Sequence, residues 1–155
     1  MKFKGEYLNG KRNKKGIEYY ESGEKKFEGE YLNGLRNGKG IEYFLEQIKF
    51  FEGEYLNDKR NGKGIEYYNN GNILYEGEYL EGERDGKGKE YDISGGIVEF
   101  EGTYSKGNKW NGDAIEIDED GAPIFVGKYI NGIKIEEEGE NLNMYKSESD
   151  EIYSD

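Results

Sequence analysis

Glutamates recur at one position along the chain, and paired carboxylates can perform acid/base chemistry, as they do in glycosidases. They are Glu42, Glu66, Glu90 and Glu116. A catalytic site normally combines different residue types around one pocket, whereas this row repeats a single type. The chain has no histidine and no cysteine, so it lacks the commonest general base and any thiolate nucleophile or metal ligand. We therefore predict that the protein is not an enzyme and uses no cofactor or metal.

The glutamates belong to a phrase that occurs six times. It reads aromatic-Glu-Gly-Glu-Tyr-Leu-x-Gly, then Arg-Asn-Gly-Lys-Gly-Ile-Glu-Tyr, then a polar turn. Its anchor glycines are spaced 24, 24, 24, 25 and 25 residues apart: Gly5, Gly29, Gly53, Gly77, Gly102 and Gly127. Such a period indicates an array of small units, each of which is buried only against its neighbours. The composition agrees, because 33% hydrophobic residues supply little for an ordinary core, while 15% aromatic residues argue against simple disorder.

Each unit is predicted to form one β-hairpin. Residues 27–32 and 38–44 alternate with the period of two that is typical of strands, and Asn33-Gly34 between them is a hairpin-turn signal. Short polar segments such as Glu21-Ser22-Gly23-Glu24 join one unit to the next. The predicted fold is therefore all-β: an elongated, single-layer antiparallel meander of about six stacked β-hairpins.

A register follows if four residues close each turn. Tyr31 then faces Gly38, Gly29 faces Gly40, and Gly40 faces Gly53. This register predicts a row of glycines flanked by two ridges of aromatic residues, which we call the aromatic furrow. Its main aromatic members are Phe27, Tyr31, Phe51, Tyr55, Tyr75, Tyr79, Phe100 and Tyr104. Glycine inside a strand costs about 0.5–1 kcal/mol relative to alanine, so we expect these glycines to allow bending of the sheet or close packing of the rings.

The opposite face offers charge pairs in the same register. Glu30 faces Lys39, and the other units repeat the arrangement as Glu6 with Lys15, Glu54 with Lys63, and Glu78 with Lys87. Such pairs specify register more than they stabilise the sheet. A modest apolar stripe runs beside them, made of Ile17, Ile41, Ile65, Ile115, Tyr19, Tyr43, Tyr67 and Tyr91.

Residues 75–88, which read Tyr-Glu-Gly-Glu-Tyr-Leu-Glu-Gly-Glu-Arg-Asp-Gly-Lys-Gly, resemble the MORN (membrane occupation and recognition nexus) repeat. The pattern of that family is aromatic-x-Gly-x-aromatic, x-x-Gly, and a later Gly-x-Gly, and tandem matches cover about residues 3–135. Lys14, Asp58 and Ala114 depart from it, since each replaces a glycine. The resemblance implies a MORN-repeat solenoid, an extended and twisted stack of β-hairpins. Members of the family include cytoskeletal and flagellar scaffolds, junctional membrane tethers, and enzymes that carry the repeats beside a separate catalytic domain.

The array is predicted to occupy residues 1–138. Its units start near residues 3, 27, 51, 75, 100 and 125, and the last is a partial cap because Glu136 and Glu138 replace pattern glycines. Residues 139–155 lose the period and form an acidic tail. We expect this tail to be disordered, with folding on a partner as the alternative.

Two functions other than catalysis compete. The first is a non-catalytic repeat scaffold that binds a protein partner, a peptide or a helix, along the aromatic furrow. A single-layer sheet is not expected to hide a continuous aromatic strip, and aromatic residues are common anchors at interfaces. The alternative is a peripheral membrane or phosphoinositide-lipid tether through basic residues expected in one set of turns: Lys11, Arg12, Arg36, Lys59, Arg60 and Arg84.

The charge of the chain narrows the choice of partner. The formal net charge of −12 disfavours nucleic acid and, less strongly, anionic membranes. The sequence has no apolar run of membrane-spanning length, and residues 1–5 lack the character of a signal peptide. We therefore expect a cytoplasmic protein with a protein partner. We also expect a monomer, with end-to-end association of arrays as the alternative.

Overall fold

The chain folds as one antiparallel sheet of twelve strands in a computed structural model that describes residues 2–118 and 120–136. Neighbours in the sheet are neighbours in sequence, from β1 to β12. The strands are β1 (Lys2–Leu8), β2 (Lys11–Tyr19), β3 (Lys25–Leu32), β4 (Leu35–Tyr43), β5 (Lys49–Leu56), β6 (Lys59–Tyr67), β7 (Ile73–Leu80), β8 (Glu83–Tyr91), β9 (Val98–Ser105), β10 (Asn108–Ile117), β11 (Pro123–Ile130) and β12 (Ile133–Glu136). A 3₁₀ turn, Leu45–Gln47, lies between β4 and β5. The predicted all-β hairpin meander is confirmed.

Two residues close each hairpin, where four had been predicted. Asn33 and Gly34 have φ values of 53° and 97°, which is the type I′ geometry that suits the twist of a hairpin. Tyr31 therefore lies opposite Arg36, and its predicted pairing with Gly38 is wrong. The turns also bond to one another along this rim of the sheet, because the Gly34 N–H donates to the Arg12 carbonyl of the preceding unit at 2.9 Å. Gly82, Gly107 and Gly132 repeat that bond.

A bulge in the second strand of each of the first four hairpins restores the glycine register. Gly29 still faces Gly40, so three residues of β4 lie opposite Glu30 alone. The Glu30 carboxylate accepts the main-chain N–H of Lys39 at 2.9 Å, and Gly38 takes a φ of 102° there. The predicted Glu30–Lys39 charge pair within the hairpin is therefore wrong. Glu54 and Glu78 bind the main chain of Lys63 and Lys87 in the same way.

The predicted glycine row crosses most of the sheet. Gly29 faces Gly40, Gly40 faces Gly53, and the pairing continues to Gly88 and Gly102. In the fifth hairpin, Gly112 faces Gly102 in place of the predicted Ala114. The reason is that β10 has one residue more between Lys109 and Ala114 than β8 has between Arg84 and Gly88, which changes the bulge.

The core is a line of rings laid over this glycine row. The Phe27 ring covers Gly29 and Gly40 so closely that a methyl group on either glycine would overlap it. Its centroid lies 5.7 Å from that of Tyr31 and 5.2 Å from that of Tyr55, both edge to face. Equivalent contacts extend the line from Phe3 to Tyr129. Each unit is therefore buried against the next one, as the repeat predicts.

The predicted acidic tail, residues 139–155, lies outside the described residues, as do the last two residues of the predicted array, Glu137 and Glu138. The final described strand, β12, pairs Glu136 with Gly127 of β11.

Candidate partner-binding groove

The aromatic furrow is closed. Its eight predicted binding residues, Phe27, Tyr31, Phe51, Tyr55, Tyr75, Tyr79, Phe100 and Tyr104, are only 0–4% exposed. The expectation that the strip stays accessible is wrong, because side chains cover the rings from above as well as from the sides. The Arg36 guanidinium lies 4.0 Å from the centroid of the Phe27 ring. Direct contact between these eight residues and a partner stays a prediction, and it would require the covering side chains to move.

The arginines that cover the rings are residues predicted to form a basic rim. Arg12, Arg36, Arg60 and Arg84 lie within strands and form ion pairs with glutamates, Arg12 with Glu18 of its own strand and the other three with a glutamate two strands earlier. Arg60, for example, donates from Nε and Nη2 to Glu42 at 3.1 and 3.0 Å. The placement of these four arginines in exposed turns is therefore wrong, and the lipid-tether alternative loses most of its basic residues.

The glutamate row is an ion-pair network. Glu66 accepts a hydrogen bond from the Tyr79 hydroxyl at 2.5 Å and two from Arg84 at 3.2 and 2.9 Å. Burial alone would raise the pKa of Glu66, but these hydrogen bonds and the charges on Arg84 and Arg60 outweigh it and lower the pKa. The pKa values of Glu18 and Glu90 are lowered by the same balance. A general acid needs a raised pKa, so the network favours the opposite of what acid catalysis requires.

The accessible concave surface lies on the other face of the sheet. Two cavities of about 760 and 690 Å³ meet at Lys63, Gly64 and Ile65 and together reach from β1 to β9. We call this surface the open groove. Its floor is the backbone of the glycine row, whose missing side chains would have pointed to the ring side.

Two rows of alternating side chains form the walls of the open groove. One wall alternates isoleucines with glutamates: Ile17, Glu28, Ile41, Glu52, Ile65 and Glu76. The other alternates lysines with glutamates: Lys15, Glu30, Lys39, Glu54, Lys63, Glu78 and Lys87. We call its lysines, Lys15, Lys39, Lys63 and Lys87, the lysine row. Leu32 lies two residues beyond Glu30 on the same face of β3 and is half exposed, as are Leu8, Leu56 and Leu80.

Sequence reasoning missed this groove, although it had placed the isoleucines, lysines and glutamates on the correct face. The signal was the apolar stripe of Ile17, Ile41 and Ile65, which repeats once per unit. The aromatic residues appeared to be the stronger binding signal because the sequence does not show that arginine covers them.

The repeating hairpin and the glycine-backed line of rings define a tandem-repeat scaffold. A family model described as MORN repeat matches residues 3–25, 27–44, 51–73 and 75–97, which together exceed half of the chain. The chain therefore belongs to the MORN repeat family. Strands β9–β12 continue the same sheet beyond the matched segments. A comparison with curated proteins finds no match to this chain.

MORN repeats generally act as non-catalytic interaction modules for proteins or membranes. Within the part of the chain that the structure describes, no helix is long and apolar enough to cross a membrane. The same residues contain no cluster of three or more acidic, histidine or cysteine side chains placed to hold a metal ion.

Proposed function

We propose that the protein is a non-catalytic scaffold that binds a segment of a partner protein along the open groove. The observation that carries this proposal is the groove itself, a concave surface about nine strands long with isoleucine on one wall and exposed leucine at the rim. Binding sites combine apolar contact area with a few polar groups that fix orientation. The first three units of the groove offer both, so a partner segment would make the same contacts several times.

The aromatic furrow contributes indirectly in this proposal. Its rings and arginines hold neighbouring strands together on the closed face, so the walls of the open groove are fixed before the partner arrives. Preorganisation of this kind reduces the entropy cost of binding. A cytoplasmic location stays a prediction.

Site-specific photo-crosslinking tests which face binds. A benzophenone amino acid at position 41, in place of Ile41, would lie in the wall of the open groove. The same group at position 21, in place of the exposed Glu21, lies in a turn outside it and serves as the control. We expect crosslinked partner only from position 41 when the variants are expressed in the source cell. Equal adducts at both positions, or adducts at position 21 alone, would contradict the proposal.

A Tyr55→Ala, Tyr79→Ala variant would not show which face of the sheet binds the partner. Both residues are buried, and their hydroxyls bond to Glu42 and Glu66. Loss of partner capture by that variant would therefore report the loss of folded structure.

A further inference from the structure

The first strand, β1, lies open at one edge of the sheet. Every residue of β1 except Phe3 is exposed. The contrast with the other units is largest at Tyr7, which is 58% exposed, whereas the tyrosines at the same position of the next four units are 3–4% exposed. Each of those packs edge to face between two rings, as Tyr31 does between Phe3 and Phe27. Tyr7 contacts only the Phe3 ring, at 5.4 Å, so β1 carries half of the contact that joins one unit to the next.

The main chain of β1 is open on the side away from β2. Gly5 has the position in β1 that Gly29 has in β3, and Gly29 pairs across the unit boundary with Gly16 of β2. Gly5 therefore presents the same bare edge, with no strand of the described chain beyond it. Such an edge can add another strand by antiparallel pairing.

We propose that two copies of the chain associate through β1, antiparallel and with Gly5 of one copy opposite Gly5 of the second copy. This arrangement has a twofold axis at Gly5, so every other contact occurs twice. It places Phe3 opposite Tyr7 of the second copy, and Lys4 opposite Glu6 of the second copy. The ring pair supplies the second aromatic neighbour that Tyr7 lacks. The glycine row continues from one copy into the other.

The charges of β1 select this register. Only a shift that leaves each side chain on its own face of the sheet needs to be compared, because any other shift exchanges the two faces. The nearest such shift in one direction places Lys4 opposite Lys4 of the second copy, and the nearest in the other direction places Glu6 opposite Glu6. Like charges directly opposite one another are destabilising. The favoured register is therefore the one in which glycine meets glycine.

Both charged residues are available for the new pairs. Lys4 is exposed and forms no ion pair with any residue that the structure describes. Glu6 pairs with Lys14 at 2.9 Å, but both side chains are more than half exposed, and an ion pair of this kind contributes little. A carboxylate has two oxygens and can accept from two ammonium groups at once.

The other edge of the sheet matches β1 less well. Glu136 of β12 lies opposite Gly127, at the place that Gly40 has in the second unit. A methyl group on Gly40 would overlap the Phe27 ring and would approach the Tyr55 ring of the next unit to 3.2 Å. A head-to-tail contact would press the longer side chain of Glu136 into the same space. We therefore expect a closed pair and not a growing chain.

This inference goes beyond the proposed function, because it concerns an edge of the sheet and not the groove. It replaces the expected monomer by a form of end-to-end association. Lys4 and Gly5 line the end of the open groove, so the grooves of the two copies would meet at the twofold axis. A single pair of strands is a small interface, which is typical of a weak, concentration-dependent dimer.

Sedimentation velocity of the full chain tests whether the dimer forms. Between about 10 µM and about 1 mM, a range suited to the weak affinity of small interfaces, we expect monomers to convert into dimers without larger species. A monomer throughout this range would overturn the proposal. A mass that grows beyond the dimer would also overturn it, since head-to-tail association has no closed end point.

Charge reversal tests the register. Lys4→Glu places a glutamate opposite Glu6 of the second copy, and Glu6→Lys places a lysine opposite Lys4, so each variant alone should dimerise about tenfold more weakly than wild type. An equimolar mixture of the two variants restores both pairs of opposite charge. We expect the mixture to form dimers with an affinity close to that of wild type. A mixture that dimerises as weakly as the separate variants would overturn the proposal.

Two further variants complete the test. Lys106→Glu is the matched control for Lys4→Glu, because Lys106 is exposed in the turn after β9 and both substitutions change the formal net charge from −12 to −14 by replacing one positive charge with a negative one. This control should dimerise like wild type, and equal weakening by both substitutions would contradict the proposed contact. Tyr7→Ala removes the ring pair without a change in charge. We expect it to weaken the dimer at least tenfold, whereas wild-type dimerisation by a folded Tyr7→Ala variant would overturn the proposal.

Discussion

Glycine is the residue on which the packing of this sheet depends. A side chain at Gly64 would enter the space of the Phe51 ring and would approach the Tyr79 ring to 3.1 Å. The first contact is with a fully buried ring, so it cannot be relieved by a flexible surface group. The same relation holds between Gly40 and Phe27 one unit earlier.

We expect Gly64→Ala to destabilise the protein by about 1–3 kcal/mol, the usual effect of overpacking a core. Urea unfolding followed by circular dichroism measures it. Lys63→Ala is the matched control. The Lys63 side chain is next to Gly64 in sequence but exposed, and Glu54 bonds only to the main-chain N–H of Lys63, which the substitution keeps. That control should change stability by less than about 0.5 kcal/mol. Equal effects of the two substitutions would mean that the ring packing is described incorrectly.

At the scale of the element, the bulge gives each of the first four hairpins its shape. It requires one residue with positive φ, and the second, third and fourth units supply Gly38, Gly62 and Gly86. The first unit has Lys14 there, with a φ of 56°. A non-glycine residue in this left-handed region costs about 1–2 kcal/mol. Lys14 also forms an exposed ion pair with Glu6 at 2.9 Å, which contributes little.

We predict that Lys14→Gly stabilises the first hairpin relative to Lys14→Ala by about 1 kcal/mol. Both substitutions remove the ion pair with Glu6, but only glycine relieves the backbone strain. Hydrogen exchange of the amides in β1 and β2 reports the local stability of this hairpin. Slower exchange in the alanine variant than in the glycine variant would show that the bulge imposes no strain.

The sequence predicted the strands and their order, but it did not predict the pairing inside each hairpin or the burial of the aromatic furrow. The 24-residue period and the alternation within residues 27–32 predicted the strands, their order and the glycine row, because these follow from local pattern. The pairing of Tyr31 with Arg36 could not be predicted in the same way, since a two-residue turn and a bulge together preserve the Gly29–Gly40 register. The burial of the predicted site was missed because Arg36 covers Phe27 from a neighbouring strand, a contact that depends on this corrected pairing.

At the scale of the whole molecule, the glutamate row connects all the units through charge. Glu18, Glu66 and Glu90 have lowered pKa values, and therefore stabilise the folded state while they are ionised. That contribution is complete above the ordinary glutamate pKa of 4.5 and is lost as the pH falls through the pKa values of the folded state.

Tyrosine has the corresponding effect at alkaline pH. Burial is the main cause that raises the pKa of Tyr75 to about 12. The contribution of Tyr75 to folding stability is complete below its ordinary pKa of 10.0 and is lost as the pH rises through its pKa in the folded state.

We therefore expect the stability difference between wild type and Glu66→Gln to be largest near pH 7 and to shrink as the pH falls below about 4.5. At neutral pH the substitution removes the charge that Arg84 and Arg60 face, whereas in acid the wild-type carboxyl group loses its charge as well. Urea midpoints of both proteins at pH 7 and pH 3.5 test this. A difference that is independent of pH would show that the charge of Glu66 is not what stabilises the fold.

Strand order that follows chain order has a mechanical consequence. Because β1 and β12 form opposite edges of the sheet, tension applied between them acts across the strands. This tension would break the hydrogen bonds of one strand pair after another. Bonds between turns, such as that from the Gly34 N–H to the Arg12 carbonyl, would break with them. Each released unit of 24 residues adds about 80 Å of extended chain. Under load the array would lengthen in steps of one unit, and each step would absorb mechanical work.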